Sequence, residues 1–140
     1  MLVKTRPEHV KAEVQRFWKA MSRKSGEELA SFYSPYATVF GSSALSSEPG
    51  RVAAIRRNRE YLNPDARVAA DLGPIEVQML GDSGAVASYT FSFNAHNVSS
   101  DIGDPKSESI RHGRATQVFE IEPDGKMKIL HEHISIARDN

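Results

Sequence analysis

From Pro7 to about Ser22 the apolar positions are Val10, Val14, Phe17, Trp18 and Met21, and spacings of four, three and four put them on one stripe of a helix. Pro7 suits a first-turn position, because its missing amide hydrogen is not needed there. Ser25-Gly26-Glu27-Glu28 has the form of a capping box and predicts a short second helix through Leu29, Phe32 and Tyr33, closed by Ser34-Pro35. A short strand from Tyr36 to Phe40 and a loop of small residues from Gly41 to Ser47 follow. Pro49 then predicts the start of a third helix, with Val52, Ile55 and Leu62 as its apolar positions and Asn63-Pro64 as its stop.

After Asp65 the period changes from helix to strand. Residues 66–80 predict a strand interrupted near Gly73-Pro74, where a bulge or bend is expected. Gly81-Asp82-Ser83-Gly84 turns the chain into a strand from Ala85 to Val98, in which Tyr89, Phe91 and Phe93 alternate with Ser88, Thr90, Ser92 and Asn94. A polar loop, SSDIGDPKS from Ser99 to Ser107, precedes a closing hairpin, Gly113 to Ser135, built around Pro123-Asp124-Gly125. Helices segregated from four consecutive long strands imply a single α+β domain in which a curved sheet wraps the first helix.

Composition narrows the function classes. The chain has 140 residues, enough for one real core, and 18 basic residues balance 18 acidic ones. No global field draws it to nucleic acid or to an anionic membrane. The absence of cysteine removes disulfides, thiolate metal sites and a cysteine nucleophile. The opening MLVKTRPEHVKAEV lacks the apolar core of a signal peptide, so a cytoplasmic protein is expected. Arg51, Arg56, Arg57 and Arg59 make the third helix basic, which without interleaved aromatics or a glycine loop describes a solvated face.

Two segments carry a resemblance. Val77 to Tyr89, VQMLGDSGAVASY, resembles the strand-turn-strand of the association (hub) domain of calcium/calmodulin-dependent protein kinase II. Thr116-Gln117-Val118-Phe119, Asp124-Gly125-Lys126 and His131-Glu132-His133-Ile134-Ser135 resemble its final hairpin. The chain is thus similar, from about residue 8 to 137, to the nuclear-transport-factor-2-like superfamily of cystatin-like α+β rolls, which includes SnoaL-like proteins and ketosteroid isomerases. The resemblance implies a cone-shaped roll with a pocket between helices and sheet, and often a dimer through the outer sheet face. It does not fix an activity, since the superfamily holds enzymes and assembly domains alike.

Assigning faces then selects candidates. On the third long strand Tyr89, Phe91 and Phe93 face inward as the apolar set, and on the fourth Ala115, Gln117, Phe119 and Ile121 do. The last strand offers two phases. Leu130, Glu132, Ile134 and Ile136 form the more apolar face, which core burial places inward. Glu122-Pro123-Asp124-Gly125-Lys126 instead suits a three-residue loop with a glycine bulge, which pairs Gln117 with His131 and turns the histidines inward. A four-residue loop, or one further bulge, restores the first arrangement.

An inward Glu132 is the candidate catalytic base, with Gln117 orienting a substrate oxygen; the plainer alternative is that Glu132 bonds to Gln117 or a helix residue and only satisfies the core. Trp18, Tyr33, Phe40, Tyr89, Phe91, Gln117, Phe119 and Ile134 are the expected pocket lining, although residues at such spacing are also ordinary core. His131 and His133 point the same way, with His96 and His112 at matching parity on neighbouring strands, but a polar dimer interface with Arg114, Thr116 and Ser135 suits them better than a metal site. No metal or cofactor is implied.

The isomerases' acidic base has no counterpart in Phe40-Gly41-Ser42-Ser43, and the hub pocket's third-strand arginine is matched by Phe91. The expectation is a homodimer binding a small, mostly apolar molecule. Two alternatives stand beside it: an isomerase-, dehydratase- or cyclase-type enzyme using Glu132, and an oligomeric assembly module.

Overall fold

The computed structural model describes residues 4–23, 26–40, 48–49, 70–94 and 110–137. Helix α1 runs Pro7–Arg23 and opens on Pro7, with Glu8 in the first turn complementing the helix dipole. Its stripe of Val10, Val14, Phe17, Trp18 and Met21 is buried against the sheet. Helix α2, Gly26–Ser31, is shorter than its apolar pattern predicts. The chain turns at Phe32, and strand β1 spans Tyr33–Phe40, so Tyr33 belongs to the sheet rather than to the helix. Long-range pairing overrides the local signal there: Ile129 donates its amide to the Phe32 carbonyl at 2.7 Å, and Tyr33 pairs with Ile129.

Pro35 is tolerated inside β1 because the pairing with the last strand skips from Tyr33↔Ile129 to Thr38↔His131, leaving its missing N–H outside the ladder. Tyr36, in the same bulge, is 84% exposed. Pro49 lies in a two-residue strand, β2 (Glu48–Pro49), antiparallel to β1. The remainder of the predicted third helix, with its four arginines, lies outside the described residues, as do residues 66–69, His96 and the Ser99–Ser107 loop.

The predicted broken strand forms β3 (Ala70–Leu72) and β4 (Glu76–Leu80), both antiparallel to β5 (Gly84–Asn94), with the break at Gly73-Pro74-Ile75. Strands β6 (Ile110–Ile121) and β7 (Met127–Ile136) complete a sheet ordered β2-β1-β7-β6-β5-β3. Only the β1–β7 contact is parallel among the described pairs. Alternation buries Ala85, Ala87, Tyr89 and Phe91 of β5 with Ala115, Gln117, Phe119 and Ile121 of β6, on the face that α1 covers.

The β6–β7 hairpin satisfies both of the competing preferences in its sequence. Its loop has three residues: the Glu122 amide donates to Lys126 O and the Gly125 amide to Glu122 O, each at 2.8 Å, and Gly125 takes a φ of 91° that favours glycine. The pairing therefore starts as Ile121↔Met127 and Phe119↔Ile129, then slips to Val118↔His131. Leu130 is the extra residue. It is not inward, as its apolar neighbours suggest, but 39% exposed, whereas Ile129 is buried in its stead. Past this bulge Glu132 and Ile134 point inward and His131 and His133 outward.

Gly113 on β6 stands opposite Phe91 on β5. A Cβ there would fall inside the contact distance of the Phe91 ring, which is buried and packed on Trp18, so the ring would have to shift. Gly113→Ala is expected to destabilise the fold by about 1–3 kcal/mol in urea unfolding, with Phe91→Leu restoring part of the loss. Unchanged stability of Gly113→Ala contradicts this packing.

Candidate functional site

Glu132 and Gln117 are cross-strand partners on the concave face, and both are fully buried. Gln117 Nε2 donates to Glu132 Oε2 at 2.7 Å. From the start of β1 the Tyr33 hydroxyl reaches the same carboxyl group, 3.0 Å from each oxygen. On the other side, Tyr89 on β5 donates to Gln117 Oε1 at 2.8 Å and accepts from Trp18 Nε1 of α1 at 2.9 Å.

The direction of this relay follows from its first member. An indole N–H can only donate, so the Tyr89 oxygen accepts and its own hydrogen turns to the Gln117 carbonyl. That leaves the Gln117 amide nitrogen for Glu132. Trp18, Tyr89 and Gln117 thus pass hydrogen bonds one way, ending on a carboxyl group that Tyr33 meets from the opposite side. Helix α1 and strands β1, β5, β6 and β7 each contribute one member.

Aromatic side chains wall the relay. Phe17 packs edge-on to Trp18, Phe32 and Tyr33 with centroids 5.6–6.0 Å apart, and Phe91 lies 4.6 Å from Trp18. Phe119 and Ile134 are buried on the same face. The structure therefore brings together Trp18, Tyr33, Tyr89, Phe91, Gln117, Phe119, Ile134 and Glu132.

It does not bring Phe40 to them. Parallel pairing aligns Val39 with Glu132 and Phe40 with His133, so Phe40 shares the outer face and contacts the His131 and His133 rings at 5.7 and 5.8 Å. The Glu132–Gln117 contact was open to sequence reasoning from strand parity. The Trp18–Tyr89 contact, 71 positions apart, had no such signal.

The outer face carries the other predicted set. Thr38 Oγ1 and His131 Nδ1 share a hydrogen bond of 2.8 Å, and Arg114 Nε donates to Ser135 Oγ at 3.3 Å. Arg114, Thr116 and His133 line an open groove of about 600 Å³, joined by Glu76, Ser88 and Thr90, which the sequence did not single out. A second groove, about 480 Å³, lies between α1 and the β6–β7 loop, where Arg16 pairs with Glu13 and stands 5.4 Å over the Phe32 ring. Among the described residues no group of three or more histidines or acids could hold a metal, and no helix is long and apolar enough to cross a membrane.

Residues 10–139 match the family model of the SnoaL-like domain. The chain belongs to the SnoaL-like family. Its fold is the cystatin-like, nuclear-transport-factor-2-like α+β roll. Among solved structures, this SnoaL-like chain is similar to a proposed calcium/calmodulin-dependent protein kinase II association domain from Xanthomonas campestris, at 18% identity and a TM-score of 0.72 over 98% of this chain and 91% of the other. It is likewise similar to an uncharacterised cystatin-fold protein from Caulobacter vibrioides, at 18% identity and a TM-score of 0.71, covering 94% and 89%. A proposed scytalone dehydratase from Novosphingobium aromaticivorans matches at 11% identity and a TM-score of 0.71, covering 94% and 83%. No curated protein matches the sequence.

Because Tyr33 and Gln117 both donate to Glu132, their contributions are coupled. Tyr33→Phe and Gln117→Leu are each expected to lower stability by about 1–3 kcal/mol. The double variant should lose about 0.5 kcal/mol or more beyond their sum, because two donors leave one buried carboxyl group together. A double-mutant cycle in urea that closes additively contradicts the shared-acceptor geometry.

Proposed function

We propose that this SnoaL-like chain is a homodimeric binding protein for a small, mostly apolar molecule, held in the cone with one polar end toward the relay. The observation that carries this reading is the fully buried Gln117–Glu132 pair on a concave face otherwise walled by aromatic and aliphatic side chains. A core that served stability alone gains little from such a pair, since well-packed apolar residues of similar volume often do as well or better. A few convergent polar groups set among apolar walls are what a ligand pocket uses for orientation.

The same geometry favours binding over base catalysis. A general base must present an oxygen to the substrate's proton. Both Glu132 oxygens instead lie within hydrogen-bonding distance of the Tyr33 hydroxyl, and Gln117 donates to one of them. The dehydratase-like neighbour keeps an enzyme reading in view: it expects Glu132→Gln to abolish turnover of a substrate that the folded protein otherwise binds.

The two copies meet through the outer sheet face, around Arg114, Thr116, His131 and His133. Its polar groove and histidine pair suit a hydrogen-bonded interface between sheets better than a bare solvent face. Likeness to an association domain supports self-assembly as a second reading, in which the oligomer exceeds a dimer.

Native mass spectrometry of freshly purified protein, repeated after denaturation, tests the proposal. The expected result is a dimer carrying a small organic molecule that denaturation releases. Ala115 stands on the concave face between Tyr89 and Ile134, so Ala115→Phe should remove the bound mass and leave the dimer. A larger ring with nothing bound transfers the case to the assembly reading. A dimer that gains no mass from a panel of small apolar carbonyl compounds contradicts the binder.

A further inference from the structure

The relay uses none of the outer-face groups, and several of these converge on Arg114. Two grooves, about 600 and about 420 Å³, share Thr90, Arg114 and Ser135 in their walls. Thr90 on β5 and Ser135 on β7 are the cross-strand partners of Arg114 on either side, so hydroxyl groups flank it in register. His133 lines the first groove and His112 the second, and among the described residues Glu76 is the one acid along either.

A guanidinium offers five N–H donors in a planar fork. Among the described residues Arg114 makes one side-chain hydrogen bond, from Nε to Ser135 Oγ, and no carboxylate pairs with it. In a lone chain this is a solvated arginine. Between two copies it is not, because a two-fold axis brings both Arg114 side chains onto one interface and away from bulk water. Like charges drawn together into a drier contact are unfavourable unless something of opposite sign joins them. An arginine fork with neighbouring hydroxyls matches a tetrahedral oxyanion, and the grooves leave room for one.

We infer that the Arg114 groove binds a small oxyanion of the phosphate or sulfate kind, and that the anion bridges the two copies. The inference rests on the outer-face dimer proposed above. Assembly is then responsive to the anion, while the relay on the opposite face is not.

Sedimentation velocity over a dilution series reads the dimer dissociation constant in sodium phosphate and in sodium chloride of equal ionic strength. The wild-type dimer should be about ten-fold tighter or more in phosphate. Arg114→Gln, with its fold checked by thermal melting, should show one constant in both salts. A wild-type dimer equally tight in both salts overturns the anion site and leaves the dimer reading standing, provided Thr116→Arg yields monomer. An Arg114→Gln chain that keeps the phosphate response also overturns it, since the gain is then general salting-out. A wild-type chain monomeric in both salts, or a Thr116→Arg chain that stays dimeric, defeats the outer-face interface and the bridge together.

Discussion

A carboxyl group buried in a protein interior has to be met by donors, and Glu132 is met by Tyr33 and Gln117. This contact ties β1, β6 and β7 together, and through Gln117, Tyr89 and Trp18 it extends to β5 and α1. The elements that close the concave face are thereby held by one directional set of bonds as well as by apolar packing. The arrangement is possible only because β7 leaves one residue, Leu130, out of the ladder. Without the bulge at Leu130, the three-residue loop at Pro123-Asp124-Gly125 would set His131 opposite Gln117 and send Glu132 to the outer face.

The bulge is how two local preferences are reconciled. Gly125 at positive φ fixes the turn, and the burial of Ile129 close to the turn follows from it. Burial of Ile134 farther along demands the opposite phase. Exposing Leu130 costs part of one aliphatic side chain's burial, about 1 kcal/mol, and it avoids exchanging an entire strand face. The β1 strand accommodates the same irregularity in its own pairing, between Tyr33 and Thr38, where Pro35 needs no ladder bond.

Much of this was legible in the sequence where the signal is local. The α1 stripe, the alternation through Tyr89 and Phe91, and the glycine turn each follow from spacing within a few residues. The Gln117–Glu132 pairing required only the correct phase of β7. What escaped is non-local. ILHEHISI is compatible with either phase, so the position of the bulge could not be read from it. Tyr33 has the helical spacing of Leu29 and Phe32, yet pairing with a strand about a hundred positions away claims it for the sheet. Phe40 lost its expected place for the same reason, because parity in β1 is set by a parallel partner that alternation cannot reveal. Family membership fixes the roll, and the relay places polar groups on its concave face, but activity does not follow from the fold.

The most direct test compares a chain lacking Leu130 with Leu130→Ala in urea unfolding. If Leu130 is the unpaired extra residue, its deletion makes Ile129 and His131 consecutive rungs opposite Phe119 and Val118 and keeps Glu132 inward. The deletion chain should then still unfold cooperatively, within about 2 kcal/mol of wild type. Leu130→Ala, which keeps the residue and loses only a partly exposed side chain, should stay within about 1 kcal/mol of wild type. A deletion chain that loses its cooperative transition, as it would if Leu130 were a paired residue whose removal exchanged the strand's faces, would contradict the bulge as the feature that sets the phase of the site.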